Sequence, residues 1–296
     1  MSTPFRITER SIANTTMVGL QGNLTRLGAL QRQLSSGKVI SRPSDSPTGT
    51  VSAMQLRADI REQQQFARNA TDGQAWLSTV DQALSGAVDM VHQVRNLVLQ
   101  GMSGGSADGP ARDAMASEVD NLRQSLLGLA NTTYLDRPVF GGTTAGSAAY
   151  DSTGGYVGDS GQVLRTVSAG SKVRVDASGP AVFGTGPNQL FTLLSDISAD
   201  LRADPGRLAG DLSGLDTTLH GMQAQLADVG GRYNRLVQLG QGATDQVTEL
   251  RSQLSDVEDV DLPQTIMELQ LQQTAYQAAL GATARVVQPS LIDFLR

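Results

Sequence analysis

Cysteine is absent from the 296 residues. Disulfide bridges, thiolate nucleophiles and cysteine-bound zinc are therefore excluded. Histidine is nearly absent too, with only His92 and His220, far apart and without a second ligand at metal-binding spacing. Neither is read as catalytic or metal-bound. Aromatic residues are 4% of the chain, so a core must be built from Leu, Val, Ile, Met and Ala, the side chains of helix-to-helix seams. No run approaches the ~20 apolar residues that span a bilayer, and Met1 to Leu20 holds no secretory signal. The expectation is a chain without membrane insertion, cytoplasmic unless it is exported without a cleaved signal. The net charge of -6 lacks the basic face that nucleic acid requires. Arg6, Arg10, Arg26, Arg32, Lys38 and Arg42 outnumber Glu9 over residues 1–42, but their wide spacing reads as a solvated helix face.

Nucleotide and hydrolase motifs are missing as well. No GxSxG or GxGxxG occurs, and Ser35-Ser36-Gly37-Lys38 has Arg32 where a phosphate loop needs glycine. No catalytic, cofactor or metal residue is assigned. Asn14, Asn23 and Asn131 match the short N-x-[ST] pattern and receive no function. Asp256, Glu258, Asp259 and Asp261 lack calcium-loop spacing. They read instead as helix-capping charge, with Asp261 the cap, Pro263 in the first turn and Gln264 at the capping-box position.

What is present is heptad spacing. Stepping by three and four from Leu208 to Val257 meets Leu215, Leu219, Leu226, Leu250 and Leu254, and only Gly240 breaks the apolar series. A continuous helix of that length is about 75 Å long, and Gly230-Gly231 is its one weak point. Leu219, Leu226, Leu250 and Leu254 are the expected core of a helical rod. Further seams run Leu77, Val80, Leu84, Ala87, Val91, Val94, Val98 and Met115, Val119, Leu122, Leu126, Leu129. The Gly101–Pro110 stretch between them reads as a turn joining antiparallel helices.

Residues 141–188 differ. Eleven glycines punctuate short β-type runs at Tyr156-Val157, Val163 to Val167, Val173 to Val175 and Val182-Phe183. This reads as a small inserted β domain, and removing residues 143–186 is expected to leave the helices folded. The two ends carry weaker seams: Met17, Leu20, Leu24, Leu27, Leu34 near the start, and Leu262, Ile266, Leu269, Tyr276, Leu280, Val287 near the finish. Gln31, Gln273 and Thr283 interrupt them, and Gly19, Gly22 and Gly28 lower the first helix's propensity. Helices of this quality need a partner, which points to assembly.

The ends also carry a resemblance. Gln33 to Asp45 (QLSSGKVISRPSD) is similar to the signature closing the first helix of bacterial flagellins and their relatives. Glu258 to Leu262 (EDVDL), Gln272 to Ala278 (QQTAYQA) and Ser290 to Leu295 (SLIDFL) resemble the same superfamily's C-terminal signature. Phe5 to Thr8 (FRIT) and Val139 to Thr143 (VFGGT) favour its hook–filament junction members over filament subunits. One departure is Asp45 followed by Ser46 and Pro47 where members often carry paired aspartates, which weakens any claim of a salt bridge at that spot but not the fold.

The resemblance implies a mainly α fold, an elongated antiparallel helical bundle or coiled coil formed by both chain ends with a small inserted β domain. Residues 1–42 with 262–296 would be a terminal helical assembly domain. Residues 43–140 with 189–261 would be the rod, and 141–188 the insert. It implies a structural subunit, not an enzyme, joining hook to filament by helical self-assembly. Its partners would be its own copies, hook-associated protein 1, flagellin and an export chaperone. It would lie outside the cell in the flagellum, exported by the type III route. Three alternatives stay open: a filament-forming flagellin, a surface enzyme in the insert, and a cytoplasmic coiled-coil adaptor. The lack of histidine between 141 and 188 argues against the enzyme.

Overall fold

The computed structural model describes residues 9–103 and 109–287. Seven α-helices and two short hairpins occur among them: α1 Glu9–Ser36, α2 Pro47–Met102, α3 Gly109–Ala130, β1 Thr133–Tyr134, β2 Arg137–Pro138, β3 Leu164–Ser168, β4 Ser171–Arg174, α4 Gly179–Phe183, α5 Leu190–Ala203, α6 Leu208–Glu258 and α7 Leu262–Val287. The chain divides into two compact units, Met1–Arg61 with Thr248–Arg296, and Glu62–Val247.

The larger unit, Glu62–Val247, is a helical bundle closed around aliphatic seams. On α2, Leu77, Val80, Leu84, Ala87, Val91, Val94 and Val98 are all fully buried. On α6, Leu208, Leu215, Leu219, Met222, Val229 and Leu236 are buried at steps of three, four and seven. This is the 3.5-residue period of a knobs-into-holes seam. The two helices run antiparallel: a Cβ on Gly240 would lie 3.1 Å from Ala70, and one on Gly73 2.8 Å from Leu236. Further along, Arg95 meets Asp216 at 2.7 Å. Gly101 has no room for a side chain, since a Cβ would sit 2.5 Å from Leu201 Cδ2. Gly230-Gly231 leaves α6 unbroken. A helix packed along its length tolerates the ~1 kcal/mol intrinsic cost of each glycine. Helices α3 and α5 complete the bundle, with Ser198 Oγ donating to the Ala116 carbonyl at 3.2 Å and Arg202 reaching Asp120 at 2.9 Å.

The stretch 141–188 does not close on a core of its own. Val163, Val167, Val173 and Val175 on and around the β3–β4 hairpin join the cluster that holds Trp76, Leu126 and Leu194. Val182 and Phe183, read above as a β-type run, lie in helix α4, and Tyr156 makes only an isolated bridge to Tyr150. The scarce aromatics gather here. Phe183 lies 5.3 Å from Phe140, 5.5 Å from Tyr150 and 5.6 Å from Phe191, ring centre to ring centre. The first two are edge-to-face and the third is tilted, and ring contacts of this kind add to simple area burial. Fully buried Asp176 accepts from Val163 N–H at 2.8 Å and takes both ends of Arg174 at 2.9 and 2.7 Å. Arg232 of α6 donates to the Asp176 carbonyl at 2.8 Å. A buried carboxylate so saturated ties the insert to the bundle. Asn131 is likewise engaged, accepting from Ala149 and Tyr150 N–H and donating to the Tyr150 carbonyl.

The β1–β2 hairpin turns through Leu135 and Asp136, both left-handed with φ of 48° and 61°. A two-residue turn of this hand suits Asn-Gly. For a leucine the left-handed conformation costs about 1–2 kcal/mol.

Candidate assembly surface

In the smaller unit, α1 and α7 pack together. Asn23 accepts from Gln272 Nε2 at 3.1 Å. Beyond the helix ends, Val39 N–H donates to the Glu258 carbonyl at 2.7 Å and Val260 N–H to the Gly37 carbonyl at 3.0 Å. Numbers rise along one helix as they fall along the other, so the pair is antiparallel. Gly37, with φ of 70°, ends α1 in the left-handed cap that glycine adopts without strain. Ser46 caps α2, its hydroxyl accepting from Gly49 N–H at 3.2 Å with Pro47 first in the helix. Asp45 makes no salt bridge among the described residues. It accepts from Ser41 and Arg42 N–H and from the Ser41 hydroxyl, and these bonds, the Arg42 N–H foremost, hold its carboxyl below the ordinary range.

One ion cluster, built on a buried carboxylate and two half-exposed cations, locks this end of the unit. Glu258 is 3% exposed, with Lys38 Nζ at 2.7 Å and Arg57 Nη2 at 2.8 Å. Burial alone would raise its carboxyl, but the two charged donors outweigh it and the group sits below its ordinary range. Glu258 ends α6, Lys38 follows α1 and Arg57 belongs to α2. Reading Lys38 as solvated and Glu258 as capping charge missed this cluster. Nothing in local spacing signals a contact between residues 220 apart in sequence. Asp261 alone of the acidic group caps α7, accepting from Gln264 N–H at 3.1 Å. Asp259 accepts instead from the Ser255 hydroxyl.

The apolar residues of α1 and α7 stay largely in solvent. Leu20, Leu27, Leu34, Leu269 and Tyr276 are half-buried, whereas Met17, Leu24, Leu262, Ile266 and Leu280 are exposed. The Val287 side chain lies outside the described residues, as do Phe5 to Thr8 and Ser290 to Leu295. Val18, Met267 and Leu271, off the seams, are more exposed than any described residue of these two seams, Leu271 reaching 72%. For Val18 and Met267 the signal in the sequence is an apolar neighbour beside a seam position, as in Met17-Val18 and Ile266-Met267. A cleft of about 420 Å³ opens between the helices, lined by Arg26, Leu30, Glu268 and Leu271 among others. Of the expected rod residues, Leu219 and Leu250 are buried, and Leu226 and Leu254 half-buried. Apolar side chains on both of the paired helices thus remain in water within the subunit. Among the described residues no three metal-ligating side chains converge, and no helix is long and apolar enough to cross a membrane.

Relatives share this architecture. The chain is similar to flagellar hook-associated protein 3 of Escherichia coli, 26% identical over 84% of this chain and 87% of the relative. It is 24% identical to flagellar hook-associated protein 3 of Salmonella typhimurium, over 93% and 94% of the two chains. The crystal structure of flagellar hook-associated protein 3 from Legionella pneumophila superposes with a TM-score of 0.60 at 15% identity, covering 69% of this chain and 98% of that one. Models of the bacterial flagellin N-terminal and C-terminal helical regions match residues 7–142 and 212–295, and the chain belongs to the bacterial flagellin family.

Proposed function

We propose that this chain is a structural subunit of the bacterial flagellum that joins hook to filament by helical self-assembly. The observation that carries the reading is the α1–α7 pair, whose apolar residues remain half-buried or exposed while the Glu62–Val247 bundle is closed. The end-to-end similarity to proteins named flagellar hook-associated protein 3 supports the same reading. Residues 1–42 with 262–296 form the assembly layer. Residues 43–140 with 189–261 form the helical body, onto which 141–188 is built. The partners are further copies of the chain, hook-associated protein 1 on one side and flagellin on the other. An export chaperone covers the terminal helices before assembly. The chain acts outside the cell, reached by type III export without a cleaved signal. It needs no cofactor, performs no catalysis, binds no nucleic acid and does not insert in a membrane. Immunogold labelling of isolated flagella tests this: label confined to one point beside the hook is expected, and label along the filament would make the chain a filament subunit instead.

A further inference from the structure

Leu135 is the most exposed large apolar residue among those described, at 73%. It stands at the tip of the β1–β2 turn in a conformation leucine disfavours. The turn would form more readily with Asn-Gly, so neither folding nor solubility explains a leucine there. Strain that displays an apolar side chain calls for a contact outside the subunit.

The hairpin is fixed to one side of α2. Tyr134 stacks against Trp76 at 5.3 Å between ring centres, and its hydroxyl donates to Asp72 at 3.3 Å. Asp72 and Trp76, four residues apart, share a face of the helix. At 100° per residue, Ser78 and Asp81 lie about half a turn around the same helix and within about one and a half turns of Trp76 along it. That opposite side holds a cleft of about 220 Å³ between α2 and α6, lined by Leu77, Ser78, Asp81, Val229, Gly230 and Tyr233, with Asn234. Leu77 and Val229 form a fully buried apolar floor. The cleft exceeds the ~30 Å³ share of one water severalfold. No atom comes within 4 Å of where a Gly230 Cβ would stand, so one wall is open backbone. The carboxylate of Asp81 belongs to the lining, and Arg137 adjoins the tip in the hairpin.

We propose that the Leu135–Asp136 turn of one subunit enters the α2–α6 cleft of a second copy, with Arg137 against Asp81. The proposal rests on the self-assembly reading above and names the contact it uses. Knob and cleft lie on opposite sides of one helix at nearly one level. Two copies therefore cannot satisfy each other as a closed pair. Each engaged copy still presents a free knob on one side and a free cleft on the other. Such head-to-tail contacts propagate into a ring or a helix, and the complementary charges set the register.

The absence of native cysteine makes the contact directly testable. Full-length chain carrying Leu135→Cys and Ser78→Cys together is expressed in cells lacking the native protein, and detached flagella are oxidised mildly and run without reductant. A ladder of linked multimers is expected from the double variant and not from either single one. Double variant recovered in flagella but still monomeric would overturn the contact while leaving the assembly reading intact. Leu135→Cys linking to itself would also overturn it. Native chain missing from flagella would sink the assembly reading and this contact with it. A second variant, Leu135→Asn with Asp136→Gly, suits the turn and removes the knob. Its melting temperature should equal or exceed that of the native chain, with incorporation into flagella down at least tenfold. Native-level incorporation by that variant would refute the proposal.

Discussion

The Glu62–Val247 unit and the unit formed by Met1–Arg61 with Thr248–Arg296 use the same heptad spacing with opposite results. In the first, apolar positions on α2, α3, α5 and α6 are sealed by one another and by the aromatic residues of the 141–188 stretch. In the second, Ala53, Ile60 and Leu250 are the only buried apolar residues among those described, and most of the exposed large apolar side chains described lie there, from Met17 to Leu280. Burial contributes about 25 cal/mol per Å² of apolar area removed from water. Most of that gain is already realised within the larger unit. In the smaller one it is left for association, and a charged node around Glu258 holds its segments in place meanwhile. A subunit that must fold alone and then polymerise needs both kinds of region.

The sharpest way to break this contrast is within the larger unit. Phe183 is fully buried and touches three other rings. Phe183→Ala should destabilise the free subunit by about 3–5 kcal/mol, the largest effect expected here, measured by urea unfolding followed by circular dichroism. An unchanged helical transition would mean that 141–188 is a separable module after all, with the closed core confined to the helices.

Next comes a difference in sign. Glu258, in the smaller unit, is held below its ordinary range by Lys38 and Arg57. Asp211, in the larger, is pushed from its usual 3.8 to about 6, chiefly by burial and then by Asp200 and Asp196, with Arg207 opposing. A lowered carboxyl gives stability that is complete above its unfolded value near 4.5 and is lost as pH falls through the folded one. A raised carboxyl does the reverse: the folded chain binds the extra proton between about 6 and 3.8, so its penalty disappears on acidification. Glu258→Gln should therefore cost about 1–2 kcal/mol at pH 7, and the difference from native chain should vanish in acid. Asp211→Asn should instead stabilise at pH 8, on the order of 2 kcal/mol, and converge with native chain below pH ~4. Melting both variants across pH checks this, and curves of the same sign would remove the electrostatic contrast.

How far the sequence carried follows from the range of each interaction. The seams from Leu77 to Val98 and from Leu208 to Val257 were legible because a heptad repeats locally and one strip of helix must find another. The cap at Asp261 lies within a few residues of its signal, Pro263 and Gln264. The Lys38–Glu258–Arg57 cluster was not legible, since its members belong to three helical segments distant in sequence. The packing of aromatic rings around the insert was not legible for a related reason. A low aromatic content averaged over the chain hid the gathering of Phe140, Tyr150, Phe183 and Phe191 in one place, and short Val-Phe runs do not separate strand from helix. The exposure of the terminal seams was foreseen only in part, because spacing shows which residues are apolar and not what covers them.

The smallest effect on the free subunit separates the two units most cleanly. Leu24 is 48% exposed on α1 and Leu280 43% exposed on α7. Charge at such positions finds water at once, and surface changes of this kind alter stability by about 0.5 kcal/mol or less. In a chain of this size that is a shift of about 2 °C or less in melting temperature. Leu24→Asp and Leu280→Asp should therefore melt with the native subunit. Under the assembly proposed above, neighbouring helices cover the same side chains, and an aspartate there becomes a buried charge without a partner. Each variant should fold normally and fail to appear in detached flagella, read by immunoblot against the soluble pool. Hydrogen exchange on the free subunit gives the matching map, with fast exchange across residues 14–36 and 262–284 and protection along the buried stretch of α6 from Leu215 to Leu236. Melting as depressed as that of Phe183→Ala, or terminal amides as slow as those of α6, would place the terminal helices in the folded core and erase the contrast between the two units.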